Sequence, residues 1–322
     1  MHVLVVGAAG MVGRKLVDRL LADGSLCGKP ITAMTLHDVV PPAYPEGTAF
    51  PVVVTHGDIA TPGEAERLIA AHPDVIFHLA AIVSGEAEAD FDKGYRINFD
   101  GTRLLFDAIR VAGYGPRVVF TSSIAVFGAP FPDAIGDEFH LTPLTSYGTQ
   151  KAVGELLLAD YTRKGLFDGI GIRLPTICVR PGAPNKAASG FFSNIIREPL
   201  NGEPAVLPVS RDVMHWMASP RSAVGFLLHA AELDGAAVGP RRNLTMPGLA
   251  ITVGGMIEGL ARVAGAERAA LIREEPDATI MGIVDGWPRT FDAARALDLG
   301  FTTEKTFDEI VKAHIEDEGI VL

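Results

Sequence analysis

Tyr147 and Lys151 stand four residues apart in Ser146-Tyr147-Gly148-Thr149-Gln150-Lys151, a spacing that puts two side chains on one face of a helix. A free phenol titrates near ~10 and is a poor base at neutral pH. A neighbouring ammonium favours the phenolate, so the lysine is expected to lower the tyrosine's pKa. Such a pair could take the proton of an alcohol while hydride leaves the same carbon. The positive charge of an oxidised nicotinamide would act in the same direction, and Lys151 could also hydrogen-bond a cofactor ribose. Tyr-x-x-x-Lys alone is common on amphipathic helices, where both residues simply face solvent. What turns the pair toward chemistry is a glycine turn at the other end of the same half of the chain, Gly7-Ala8-Ala9-Gly10-Met11-Val12-Gly13.

That turn follows an apolar run at residues 3–6 and opens a helical pattern at 11–21, the context a pyrophosphate-binding turn requires. Gly7 suits the tight turn, Gly10 the close approach of backbone to phosphate, and Gly13 the packing of helix on strand. Ala9, Met11 and Val12 belong to the same expected cofactor contact, at a helix N-terminus whose unpaired N–H groups favour negative charge. Asp38 would accept hydrogen bonds from an unmodified ribose 2′-hydroxyl and repel a 2′-phosphate. No Arg or Lys directly follows it, which favours NAD over NADP. Asp58-Ile59 could reach the adenine, although an ordinary turn would look the same. Thr121-Ser122-Ser123 ends a strand, where sheets of this kind gather ligands. A hydroxyl there can orient a substrate oxygen and stabilise its developing charge. Ser123 is the expected catalytic hydroxyl and Ser122 a cofactor or loop contact, with the two exchangeable.

These residues need a frame to hold them. Strands are expected at 3–6, 31–36, 52–55, 75–79, 118–121 and 170–174, with helices at 11–21, 63–71, 101–111 and 147–163. Apolar strands separated by amphipathic helices imply a parallel sheet covered on both faces. Right-handed crossovers then make it an α/β, doubly wound, Rossmann-like fold. After Leu174, prolines at 175, 181, 184, 199, 204, 208 and 220 break the rhythm and open a smaller substrate lobe, with helices expected at 222–231, 251–264 and 307–315. The expected division gives 1–178 to an NAD-binding domain, to which 218–245 returns. The substrate lobe takes 179–217 and 246–322.

The composition suits a folded enzyme: 322 residues, 48% hydrophobic and 21% charged, which excludes disorder. A net charge of -11 argues against a nucleic-acid partner. Two cysteines, Cys27 and Cys178, in so long a chain fit reduced thiols. No apolar run is long enough for a membrane span. The first strand starts directly after Met1 and leaves no room for a signal peptide, so a cytoplasmic location is expected. No metal is expected. Glu86, Glu88, Asp90 and Asp92 match no metal loop and read as a solvent-facing helix start.

Gly7/Gly10/Gly13, Asp38, Asp58, His78-Leu79-Ala80-Ala81, Asn98, Ser123, Tyr147 and Lys151 fall in the order of motif positions in the extended short-chain dehydrogenase/reductases, which the chain resembles over essentially its whole length. The resemblance implies NAD as cofactor, with Leu79, Ala80, Ala81 and Asn98 at its site. It also implies that Pro175 and nearby backbone, Ile177 included, flank the nicotinamide, and that a homodimer forms through a helix bundle containing the Tyr/Lys helix. Stretches 78–90, 121–128, 173–182, 185–189, 214–220 and 286–292 carry a closer likeness, to members that oxidise C2 of a four-carbon sugar acid to the 2-oxo acid. The stretch around Trp287 is also similar to short-chain L-threonine dehydrogenases.

A sugar acid presents one carboxylate and several hydroxyls, so its pocket needs a cation and small polar groups. Ser84, Thr176, Arg180, Asn185, Ser189 and His215 are the expected contacts beside Ser123 and Tyr147, with Lys186 and Arg211 as further cations. Each basic residue could equally belong to a solvated face, and His215 to a structural hydrogen bond. A nucleotide-sugar 4-epimerase would use the same Ser/Tyr/Lys set and stays an alternative. A dehydratase is disfavoured because Ser123 is followed by Ile124-Ala125 and no acidic pair. An NAD-sensing regulator, the alternative outside enzymes, would often lack the Tyr or the Lys.

Overall fold

Val3, Leu4, Val5 and Val6 are fully buried, as a strand covered on both faces must be. The computed structural model, which describes residues 1–182 and 189–322, sets this strand, β1 (His2–Val6), inside a seven-stranded sheet. The other strands are β2 (Ala33–Asp38), β3 (Val52–His56), β4 (Val75–His78), β5 (Arg117–Ser123), β6 (Asp168–Leu174) and β7 (Asn243–Thr245). The order across the sheet is β3-β2-β1-β4-β5-β6-β7, and β1 runs parallel to both its neighbours, with Val6 opposite His37 on one side and His78 on the other. The chain winds outward from β1 to β3, then returns to β4 and winds the other way. Ligands of such sheets bind where that reversal falls, beyond the carboxyl ends of β1 and β4. The expected α/β doubly wound fold is the one observed.

Three helices matter most for the site: α1 (Met11–Asp23), α2 (Thr102–Ala112) and α3 (Ser146–Arg163). Leu105, Phe106 and Ile109 of α2 and Leu158 of α3 share a core with Leu4, Val6, Val118 and Phe120 of the sheet. A π-helical stretch, Tyr95–Gly101, leads directly into α2, a distortion that often marks functional positions.

By internal contacts the chain forms two units. The first comprises Met1–Val126, Pro143–Arg173 and Val224–Thr245, and the second Phe127–Thr142, Leu174–Ala223 and Met246–Leu322. The expected division kept 127–142 with the NAD-binding domain. Main-chain bonds explain the difference: Ile135 N–H donates to Thr290 O at 3.0 Å, and Asp292 N–H to Ile135 O at 2.9 Å.

In the second unit, strand Met214–Ala218 lies between Thr176–Ile177, parallel to it, and Leu249–Thr252, antiparallel. Helices α4 (Gly190–Leu200), α5 (Val253–Ala264) and α6 (Phe307–Glu318) bury Phe192, Ile195, Ile196, Met256, Leu260, Phe307 and Ile310 in one core. The helix expected at 251–264 begins later than that. Ile251 and Thr252, both β-branched, extend a strand, and the Thr252 hydroxyl then caps α5 by accepting from Gly255 N–H at 3.1 Å. Helix α4 was not expected among so many prolines, yet Phe191, Phe192, Ile195 and Ile196 repeat at helical spacing, and Pro199 sits only in its last turn.

Candidate active site

Gly7 has φ +99°, and a Cβ there would come within 2.6 Å of Ala80 N and 2.8 Å of Leu79 C. Only glycine allows β1 to turn this close to the end of β4. A Cβ on Gly13 would collide with the Gly7 carbonyl. Gly10 stands at the N-cap of α1 without a side-chain cap, and the first turn carries no acid. Such an end suits an anion. Leu79 and Ala80 N–H both donate to Val6 O, at 2.8 and 2.9 Å, so the loop expected to follow the cofactor is tied to β1. Asp38 closes the turn from the other side: Oδ2 accepts from Ala9 N–H at 2.9 Å and Oδ1 from Val40 N–H at 3.3 Å. Asp58 takes Ala60 N–H at 2.9 Å and pairs with Arg96 at 2.5 Å, while the Ile59 side chain is core.

Asn98, buried on the π-helical stretch, turns its amide inward. Its Oδ1 accepts from Ile82 N–H at 2.9 Å, and Nδ2 donates to Ile82 O at 3.2 Å and Gln150 Oε1 at 2.8 Å. Both amide protons are therefore taken within the chain, and the residue clamps the loop after β4 to α3.

Helix α3 starts where Thr145 accepts from Gly148 N–H at 3.0 Å. A Cβ on Gly148 would strike the Ala125 carbonyl, so glycine lets the helix sit directly on the end of β5. Tyr147 hydrogen-bonds Ser123. The Lys151 ammonium donates to Thr121 O at 2.8 Å and lies 5.0 Å from the Phe120 ring centre and 5.7 Å from that of Tyr147. Burial pushes Lys151 down to about 8, against the opposing pull of Glu155. Burial also pushes the Tyr147 phenol up to about 12, outweighing the hydrogen bond from Ser123. This corrects the expectation that the lysine lowers the phenol: desolvation of the phenolate is the larger effect, and the ammonium is itself weakened by burial and held on a carbonyl.

Ser123, not Ser122, reaches Tyr147. The Ser122 hydroxyl is buried and donates to Glu155 Oε1 at 2.5 Å, and Glu155 in turn is gripped by Arg173 through Nε at 2.9 Å and Nη2 at 2.8 Å. Glu155 was missed in the sequence, although it follows Lys151 by one further helical turn. Ser84 opens helix Ser84–Ala89 in this same unit.

Among the described residues, the other substrate candidates belong to the second unit. Thr176 Oγ1 and His215 Nε2 are 2.6 Å apart. His215 is buried, and that burial pushes it down to about 4. Its ring stacks on Phe192 at 5.1 Å and lies 5.4 Å from Trp287. Arg180 N–H donates to Ser193 Oγ at 2.9 Å and its carbonyl accepts from Arg197 at 2.8 Å. Ser189 precedes α4, Pro175 is buried, and Ile177 lies opposite Ala218. Arg211 is exposed and paired with Glu274 at 2.8 Å, which uses up one candidate cation. Asn185 and Lys186 lie outside the described residues. Among the described residues no three potential metal ligands cluster, and no helix is long and apolar enough to cross a membrane.

With the turn after β1 shaped for a dinucleotide and α3 laid against the end of β5, the fold is that of a short-chain dehydrogenase/reductase. Residues 3–218 match the model of the NAD dependent epimerase/dehydratase family. The D-erythronate dehydrogenase of Cupriavidus necator is 47% identical over 99% of this chain and 99% of its own. That of Haemophilus influenzae is 42% identical over 98% and 99%. The crystal structure of the nucleoside-diphosphate-sugar epimerase from Agrobacterium tumefaciens has a TM-score of 0.98 and 66% identity, covering 100% of this chain and 95% of that one. The chain belongs to the NAD dependent epimerase/dehydratase family, and its cofactor is NAD. Its own groups fit that cofactor: the turn has no room for a side chain at Gly7, the N-cap of α1 carries no side-chain cap, and Asp38 brings a carboxylate onto Ala9 of the same turn.

Proposed function

We propose that the protein oxidises D-erythronate at C2 to 2-oxo-tetronate (2-dehydro-D-erythronate). The observation that carries this reading is identity of 47% and 42%, end to end, with two D-erythronate dehydrogenases. In this reading the backbone of Gly7, Ala9, Gly10, Met11, Val12 and Gly13 holds the pyrophosphate, and Asp38 the adenosine ribose. Asp58 and Ile59 border the adenine, and Leu79, Ala80, Ala81, Pro175 and Ile177 line the remaining length. Bound NAD supplies the hydride acceptor and a positive charge near the phenol. Ser123 holds the C2 hydroxyl, Tyr147 takes its proton, and Lys151 keeps a cation at the phenol's side. With the phenol up at about 12, positive charge beside it is what makes it a base at neutral pH. Ser84, Thr176, Arg180 and Ser189 take the carboxylate and the remaining hydroxyls, and His215 acts on the substrate through Thr176. A cytoplasmic homodimer is part of the same proposal.

A second reading, nucleotide-sugar epimerisation, is favoured by the 66% identity to the Agrobacterium tumefaciens epimerase. Net hydride flow separates the two, because an epimerase returns its hydride and accumulates no NADH. NADH formation would be followed with D-erythronate, L-erythronate, L-threonate, L-threonine and UDP-glucose. Sustained NADH formation on D-erythronate alone is expected. No NADH from any acid, with UDP-glucose converted to its epimer, would replace the first reading by the second. Asp38→Asn should relax discrimination against NADP by roughly tenfold, about 1.4 kcal/mol. Unchanged selectivity would mean that another residue reads the ribose.

A further inference from the structure

The ring of His215 has two nitrogens and, being neutral, one proton. Nε2 lies 2.6 Å from Thr176 Oγ1. The other nitrogen, Nδ1, is left for the hydrogen bond to the Pro288 backbone, and a proline backbone offers only its carbonyl, an acceptor. The ring proton therefore belongs on Nδ1, and Nε2 is a lone pair. The Thr176 hydroxyl must then donate to it, which uses the only proton that hydroxyl has. Phe192 and Trp287 against the ring, and a residue exposure of 3%, keep water from offering Nε2 another partner. Thr176 itself stays partly exposed, on the short strand directly after Pro175.

We propose that Thr176 is a specificity-determining residue that meets the substrate only as a hydrogen-bond acceptor, with His215 as the residue that fixes its polarity. The group it receives must bring its own proton: a hydroxyl or an ammonium suits it, and a carboxylate oxygen, which has no proton, is turned away. For a polyhydroxy acid this sets the end-to-end direction of binding, with a chain hydroxyl at Thr176 and the carboxylate elsewhere. The inference rests on the proposed function in one respect, that Thr176 borders the substrate.

Two measurements on the full-length protein test it. The first is the tautomer of His215 by nitrogen NMR at neutral pH, which needs no substrate and so stands apart from the sugar-acid reading. The Nδ1-protonated form is expected, and an Nε2-protonated or charged ring would overturn the proposal. The second is kinetic, on whichever alcohol the wild type oxidises and on analogues that each lack one hydroxyl. Thr176→Val should raise KM about tenfold for the full substrate and change kcat by less than about threefold. It should add no penalty for the one analogue that lacks the contacted hydroxyl, and Thr176→Ser should restore wild-type behaviour. His215→Phe keeps the aromatic packing and frees the Thr176 proton, so the preference for that hydroxyl should weaken. Equal losses on every analogue, or no change in KM for Thr176→Val with NAD binding intact, would sink the assignment. If D-erythronate is not turned over but another alcohol is, the proposed function fails while both measurements still decide this inference.

Discussion

Two buried polar centres of this molecule treat charge in opposite ways. At Lys151 the charge is kept. Its ammonium sits on the Thr121 carbonyl, over the Phe120 face, with Glu155 close enough to oppose the cost of burial. At His215 the charge is refused. Aromatic rings close around the imidazole and a hydroxyl occupies one nitrogen. The first centre comes from successive turns of one helix, Tyr147, Lys151 and Glu155. The second is assembled from Thr176, Phe192, His215 and Trp287 on separate pieces of chain. Under the proposed function the difference separates two tasks. Proton transfer needs a cation whose position is guaranteed by a rigid element. Recognition needs a fixed hydrogen-bond polarity, which a neutral imidazole supplies better than a mobile charge.

The strongest way to break this contrast is at the phenol. Tyr147→Phe keeps the ring and removes the proton acceptor, so kcat should fall by about a thousandfold or more, in the range general-base loss produces, while the dissociation constant for NAD stays within about twofold. Near-normal turnover would remove the proposed proton path. Next in size is Glu155→Gln. It removes the negative charge from the buried end of the Glu155–Arg173 pair, and breaking a buried pair costs up to roughly 3 kcal/mol. Chemical denaturation should show that loss. An unchanged unfolding free energy would mean that the Ser122–Glu155–Arg173 network does not support the first centre.

The same contrast explains what could be read without coordinates. The glycine turn and the Tyr147–Lys151 pair are local patterns, set by one turn and one helical repeat, and they fall where expected. Asp38 was expected just beyond its strand and instead ends it, close enough to bond Ala9. The choice between Ser122 and Ser123 was open because neighbours on a strand point to opposite faces. The partners Tyr147 of Ser123 and Glu155 of Ser122 show which face is which. The Tyr147 shift runs opposite to the expected direction because spacing reveals a neighbouring charge but not how much water both groups lose. Pro288 as partner of His215 had no local signal at all, since it lies far along the chain and acts through its backbone.

The smallest expected effect is also the most discriminating, because both units contain a histidine held neutral. Burial, and next the Lys151 charge, push His78 down to about 3, where its Nε2 lies 2.9 Å from Thr102 Oγ1. Burial pushes His215 down to about 4. In the unfolded chain both titrate near ~6.5. Below that pH the unfolded chain binds protons that the folded chain does not, so stability falls as pH falls, and the loss continues until the folded values are reached. Between pH ~6.5 and ~5.5 each histidine should remove about 1 kcal/mol, a window above the range where ordinary carboxylates titrate. His37 is lowered by burial as well, so His215→Phe eliminates one contribution among several and should make the slope of unfolding free energy against pH in that window measurably shallower, by up to about 1 kcal/mol across it. If the slope is the same in wild type and variant, His215 is not held neutral, and the contrast between a centre that keeps its charge and one that refuses it fails with it.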